Sequence, residues 1–193
     1  MKTALQGATA AIAILASTTA FAQTAATRPG PAPAQAPAAS TASGGAGRLS
    51  GTDQKFIDSA AIGGMFEVNA GKLAEKSASG QVKQFGARMV HDHSAADSKL
   101  KQIVSAEGGT VPQALDQDHQ QKLDQLAALK GQDFDRTYMQ MMVKDHDEDS
   151  QDFGKAAQNL DNPQLKRFAA QTLKVIESHD KMAHQITDKT AAK

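Results

Sequence analysis

Met89-Val90-His91-Asp92-His93 returns, with one substitution, as Met142-Val143-Lys144-Asp145-His146 in the other half of the chain. Each copy sits inside a long run whose apolar residues recur at steps of three and four, the spacing of an amphipathic helix. Around the first copy the stripe reads Val82, Phe85, Met89, His93, Ala96, Leu100 and Ile103. Around the second it reads Phe134, Tyr138, Met142, His146, Phe153 and Ala157. His93 and His146 therefore fall on the buried faces of two helices, B and D, while His91 is turned away.

Each of these helices has a neighbour of similar length. Helix A is expected to open at Thr52, with Asp53 in its first turn, and to run to about Ala78. Its stripe is Phe56, Ala60, Gly63, Glu67, Ala70 and Ala74, dominated by small residues and carrying one carboxylate. Ser79 then caps helix B, which ends before Gly108-Gly109. Helix D opens near Asp133 and ends around Leu160, and Asn162-Pro163 supplies an N-cap and a first-turn proline for helix E. The helix E stripe is Leu165, Phe168, Thr172, Val175, His179, Met182 and Ile186, with fraying after Asp188.

Connections that short make A with B, and D with E, antiparallel hairpins. Between them, Thr110 to Gly131 is broken at Val111-Pro112 and then places Leu115, Leu123, Leu126 and Leu129 on a shorter helix. Two hairpins joined by a crossover with a short extra helix predict an all-α, ferritin-like four-helix bundle. The hairpins echo each other, since Gln81-Val82-Lys83-Gln84-Phe85 resembles Gln164-Leu165-Lys166-Arg167-Phe168. His119, on the crossover, is expected at the surface, and so is the acidic face of helix D with Asp145, Asp147, Glu148, Asp149 and Asp152.

Upstream, Lys2, an apolar run from Ala8 to Ala16 and the small-residue site Ala20-Phe21-Ala22 read as a secretory signal over residues 1–22. Residues 23–51 are Ala, Pro, Thr, Ser and Gly with few large apolar side chains, the composition of a disordered linker. The folded domain is thus expected over residues 52–189, with residues 190–193 frayed. The product is expected to be exported, most simply to a periplasm, with no transmembrane span once the signal is removed. The full chain has 21 basic and 21 acidic side chains, and loss of Lys2 leaves the mature protein near minus one. That balance invites neither nucleic acid nor an anionic membrane, and it leaves a homodimer open. With no cysteine, disulfides and a thiol nucleophile are excluded.

Glu67, His93, His146 and His179 are the candidate site. Counted from the turn near Ser79, Glu67 is about 12 residues back and His93 about 14 forward, within roughly 3 Å in height at the helical rise. From a turn near Asp161, His146 and His179 differ by roughly 4.5 Å on the same count. A carboxylate and three imidazoles in an apolar core must hydrogen-bond one another, hold a metal or enclose water. Glu with three His suits Zn, Fe, Mn or Ni, with Asp92 or Asp145 as acceptors that orient the rings. Met89 and Met142, one turn before His93 and His146, would add thioethers that suit Cu(I), or simply fill the core.

The combination of Phe56, Glu67, Lys72-Leu73-Ala74, Val82-Lys83, Phe85, Met89-Val90 and Asp92-His93 with Phe134-Asp135, Tyr138, His146, Phe168-Ala169, Leu173 and His179 resembles the domain-of-unknown-function 4142 family. The resemblance covers about Thr52 to Ile186. It implies a ferritin-like helical domain behind a signal peptide in an exported bacterial protein, of a kind often labelled an outer-membrane protein, and it implies no particular activity. The alternating strands of a barrel are absent from this sequence. Leu173-Lys174 stands where the family usually carries Leu-Pro, which removes the cause of a bend in helix E.

Three functional readings remain open at this point. One is a non-enzymatic bundle binding a metal ion through the core Glu and His residues. Another is an envelope structural or interaction module in which a buried Glu-His network only sets packing. The third, an oxidative metalloenzyme, is disfavoured because no Glu-x-x-His occurs, and phosphate loops, nucleophile elbows and zinc-protease motifs are missing as well.

Overall fold

The computed structural model describes residues 49–78 and 80–191. The expected signal, nearly all of the linker, Ser79 as a cap and the last two residues lie outside that range. Five helices account for the described part: α1 (Gly51–Ser77), α2 (Gly80–Ala106), α3 (Gln117–Ala127), α4 (Gly131–Asn159) and α5 (Pro163–Ala191). Helix A is α1, B is α2, D is α4 and E is α5.

The start of α1 differs from the expected Thr52. Ser50 is the N-cap, its hydroxyl accepting from the Asp53 amide while the Asp53 carboxylate accepts from the Ser50 amide, a reciprocal capping box. Asp53 is buried because its other oxygen reaches across the bundle and accepts from the amides of Asp161 and Asn162 at 3.0 and 3.1 Å. The start of α1 is thereby tied to the α4–α5 turn. Leu49 packs on the core, so packed residues extend into the span expected to be linker. At the far end α5 is one unbroken helix to Ala191, longer than expected and without a proline inside it. Asn162 caps it, its side-chain oxygen accepting from the amides of Gln164 and Leu165.

Gly71 lies against Gly86 and Gly64 against Asp97, so α1 and α2 run antiparallel. A Cβ on Gly86 would lie 2.5 Å from that of Ala74, so glycine is what lets these two backbones approach. Phe153 against Phe168 and His146 against His179 make α4 and α5 antiparallel too. Between hairpins, Phe56 meets Phe153 and Glu67 meets His146, so α4 opposes α1. The crossover must then travel the length of the bundle, which is why α3 can lie along α1. That packing buries Phe66 and Leu126 together in one cluster.

The core is split. One apolar cluster holds Phe66, Val82, Phe85, Met89, Phe134, Tyr138 and Met142, and the other Ile57, Leu100, Val104, Phe153, Leu165, Phe168 and Ile176. On α2, α4 and α5 a histidine, His93, His146 or His179, lies between the two clusters, and on α1 Glu67 stands beside Phe66 at the edge of the first. Ile57, Ala61 and Gly64 are buried on α1 where Phe56, Ala60 and Gly63, half-buried, had been expected, and Ile176 replaces Val175, which is exposed. These α1 positions turn towards α2, where Ile57 and Ala61 share a cluster with Leu100 and Val104 and Gly64 faces Asp97. Ala96, Ala157 and Met182 are likewise only half-buried.

Candidate metal centre

The four expected residues converge. Glu67 is 2% exposed, His93 5%, and His146 and His179 0%. Glu67 Oε2 lies 2.7 Å from His93 Nδ1, and Glu67 Oε1 lies 3.6 Å from His146 Nε2. His93 Nε2 is 3.2 Å from His179 Nδ1, and His179 Nε2 is 2.8 Å from Asp92 Oδ2. One ring nitrogen from each of the three histidines falls within 4.8 Å of the others. The sequence left the sliding of the two hairpins open, and the packed structure brings both pairs to one level.

Proton positions follow from the outer end of this chain. Burial alone would raise Asp92, but hydrogen bonds from His91, His179 and Arg88 outweigh it and hold its carboxyl down at about 2. Asp92 is ionised, so it accepts and His179 Nε2 carries the proton. Burial lowers His179 and His93 to about 4 and also lowers His146, so all three rings are neutral near pH 7. A neutral His179 then offers a lone pair at Nδ1, His93 Nε2 donates to it, and His93 Nδ1 is left as an acceptor. Only a protonated Glu67 can complete that contact. Burial, reinforced by the charges of Asp145 and Asp97 and opposed by the proximity of the His146 ring, indeed raises Glu67 to about 7.

His146 is different. Its Nδ1 lies 2.9 Å from the Met142 carbonyl, which only accepts, so Nδ1 is the protonated nitrogen and Nε2 presents a lone pair. That lone pair faces Glu67 Oε1 at 3.6 Å, and neither atom has a hydrogen-bond partner. Two buried acceptors thus point at each other with no donor between them. Leaving such groups unsatisfied costs on the order of 1–3 kcal/mol each.

The supporting residues are only partly those expected. Asp92 orients His179 of the neighbouring helix rather than the adjacent His93. Asp145 orients no imidazole; it pairs with Lys122 at 3.2 Å, and a backbone carbonyl orients His146. Met89 and Met142 are fully buried within the apolar cluster on one side of the histidine layer. His119 is half-buried, its ring 5.5 Å from that of Phe66 and its amide accepted by the α3 N-cap, Asp116.

Two carboxylates near the centre escaped the sequence reading. Asp97, four residues after His93, lies against the bare backbone of Gly64, and burial raises it. Asp149, three residues after His146, was assigned to a solvated face but turns inward. Burial and the charges of Glu67, Asp145, Asp152 and Glu148 push it up to about 8. The helical spacing from each histidine was the available signal. A second grouping, Asp147, Asp180 and His184, lies on the outer side of α4 and α5 and makes half-exposed ion pairs at 3.4 and 3.7 Å.

Among the described residues no helix is long and apolar enough to cross a membrane. No curated protein and no solved structure matches the chain. A family described as a domain of unknown function (DUF4142) matches residues 38–186, beginning upstream of α1 and ending near the close of α5. That match covers most of the chain, and the chain, an all-helical bundle in its described residues, belongs to the DUF4142 family.

Proposed function

We propose that this protein binds a transition-metal cation at the Glu67, His93, His146 and His179 layer, without catalysing a reaction of its own. The observation that carries the reading is the facing pair of unpartnered acceptors, His146 Nε2 and Glu67 Oε1. A cation between them satisfies both, displaces the Glu67 proton and draws on the neighbouring imidazoles. The donor set of nitrogens and one carboxylate suits Zn, Fe, Mn or Ni. The methionines argue less for copper, because Met89 and Met142 belong to the apolar cluster.

Export belongs to the same proposal. Lys2, the run from Ala8 to Ala16 and the site before Gln23 support a periplasmic carrier or buffer of metal tethered by the segment ahead of α1. Fractionation of cells with mass measurement of the mature chain tests it, and an intact Met1 in the cytoplasm would reject it.

The hydrogen-bonded run from Asp92 through His179 and His93 to Glu67 favours a second reading, a metal-free network that fixes the register of the hairpins. Titration separates the two. Metal at about 100 times its dissociation constant should stabilise the protein by about 2.7 kcal/mol, and His146→Ala should abolish that gain. Absence of any metal-dependent rise in melting temperature leaves the network reading.

A further inference from the structure

We infer that the acidic groove between α1, α3 and α4 is the port through which a divalent cation reaches the buried layer, with Asp149 as its innermost carboxylate. This rests on the metal-binding reading and concerns how the ion arrives. The groove encloses about 480 Å³ and its inner end is lined by Glu67. Six further side chains in it are acidic: Asp58, Asp116, Asp145, Glu148, Asp149 and Asp152. Lys55 and Lys122 also line it, Lys122 tied to Asp145 and held over the Phe66 ring, and the exposed Lys144 and Lys155 pair with Glu148 and Asp152, so the acidic side chains still outnumber the lysines. A cleft with that excess of one sign concentrates cations and speeds their capture.

The observation that points inward is Glu67 itself, almost wholly buried, with Oε1 unpartnered at the end of the groove. Beyond it a narrower cavity of about 20 Å³ shares Ser59, Gly63, Glu67 and Asp149 with the groove and continues to His93 and Asp97. That is room for one water-sized guest. Asp149, where the two spaces join, has no ion pair or hydrogen bond among the described residues. Gly63 keeps the wall open, since a Cβ there meets nothing within 4 Å. The groove and the cavity thus adjoin at Asp149, Gly63 and Glu67, and lead from the surface towards His93.

Stopped-flow uptake of Zn(II) from a chromophoric chelator by the full chain tests the port. Asp58→Asn combined with Glu148→Gln, which removes two charges from the groove, should slow association about tenfold at low salt, and Gly63→Leu should slow it at least as much by occlusion. Both should leave the final stoichiometry, the helical content and the melting temperature near wild type. Rates within twofold of wild type in both variants overturn the port while leaving the binding reading intact. A wild-type chain that takes up no Zn(II) at equilibrium removes the binding reading, and the port with it.

Discussion

Replacing Glu67 by Gln should make the metal-free protein more stable at neutral pH. The amide nitrogen can donate to His93 Nδ1 as the protonated carboxyl does, and the amide oxygen keeps the place of Oε1, so the packed geometry is preserved. What changes is the titration. Glu67 rises from 4.5 to about 7 on folding. Between those values the native state holds a proton that the unfolded chain has released, so its contribution is complete below pH 4.5 and is lost as pH rises through 7. At roughly 1.4 kcal/mol per pKa unit this comes to about 3 kcal/mol. The stability of Glu67→Gln relative to wild type should thus grow by about that amount from pH 4.5 to pH 8. Urea unfolding followed by circular dichroism in a chelator, at four or five pH values, measures the difference directly. The histidines titrate in both proteins, so their opposing pH dependence largely cancels in the comparison. A difference that stays flat with pH, or a variant less stable than wild type at pH 8, would refute the protonated Glu67 and the chain of proton positions built on it.

Other outcomes follow from the same geometry. Asp92→Ala leaves the buried His179 Nε2–H without an acceptor and should cost about 1–3 kcal/mol by denaturant unfolding. In wild type the Asp92 contribution is present above its unfolded value of 3.8 and lost as pH falls through about 2. Asp53→Ala removes the capping box and the acceptor for the Asp161 and Asn162 amides, and should destabilise by about 2–4 kcal/mol. The two kinds of helical glycine should separate in a thermal melt. A Cβ on Gly154 meets nothing within 4 Å, so Gly154→Ala should add about 0.5–1 kcal/mol from helix propensity. Gly86→Ala should lower the melting temperature, because its Cβ would collide with Ala74 and the Gly71 carbonyl.

Much of this was legible in the chain because it is local. The Met-Val-x-Asp-His pair, the stripes and the Asn162-Pro163 start depend on residues within a turn or two of one another, and helical spacing reports them. Counting residues from each turn was enough to level Glu67 with His93 and His146 with His179. The parts that escaped depend on partners far along the sequence. Asp53 looks like an ordinary first-turn acid until the α4–α5 turn, more than 100 residues away, presents two amides to it. Phe66 and His119 are covered because the crossover brings α3 onto α1. Asp145 and Asp149 share one acidic run, yet only their placement by the packed hairpins gives Asp145 a lysine and leaves Asp149 without a counter-ion. Asp92 illustrates the same limit. It stands beside His93 in the motif, but a side chain one residue along a helix points elsewhere, and it reaches His179 across the interface instead.

The most direct measurement is X-ray absorption at the zinc edge of protein loaded with Zn(II) and freed of excess metal. The expected spectrum shows one zinc per chain with imidazole nitrogens at about 2.0–2.1 Å and a carboxylate oxygen, and it changes in His146→Ala. A shell of oxygen ligands alone, or zinc that does not survive desalting in stoichiometric amount, would contradict the proposed centre.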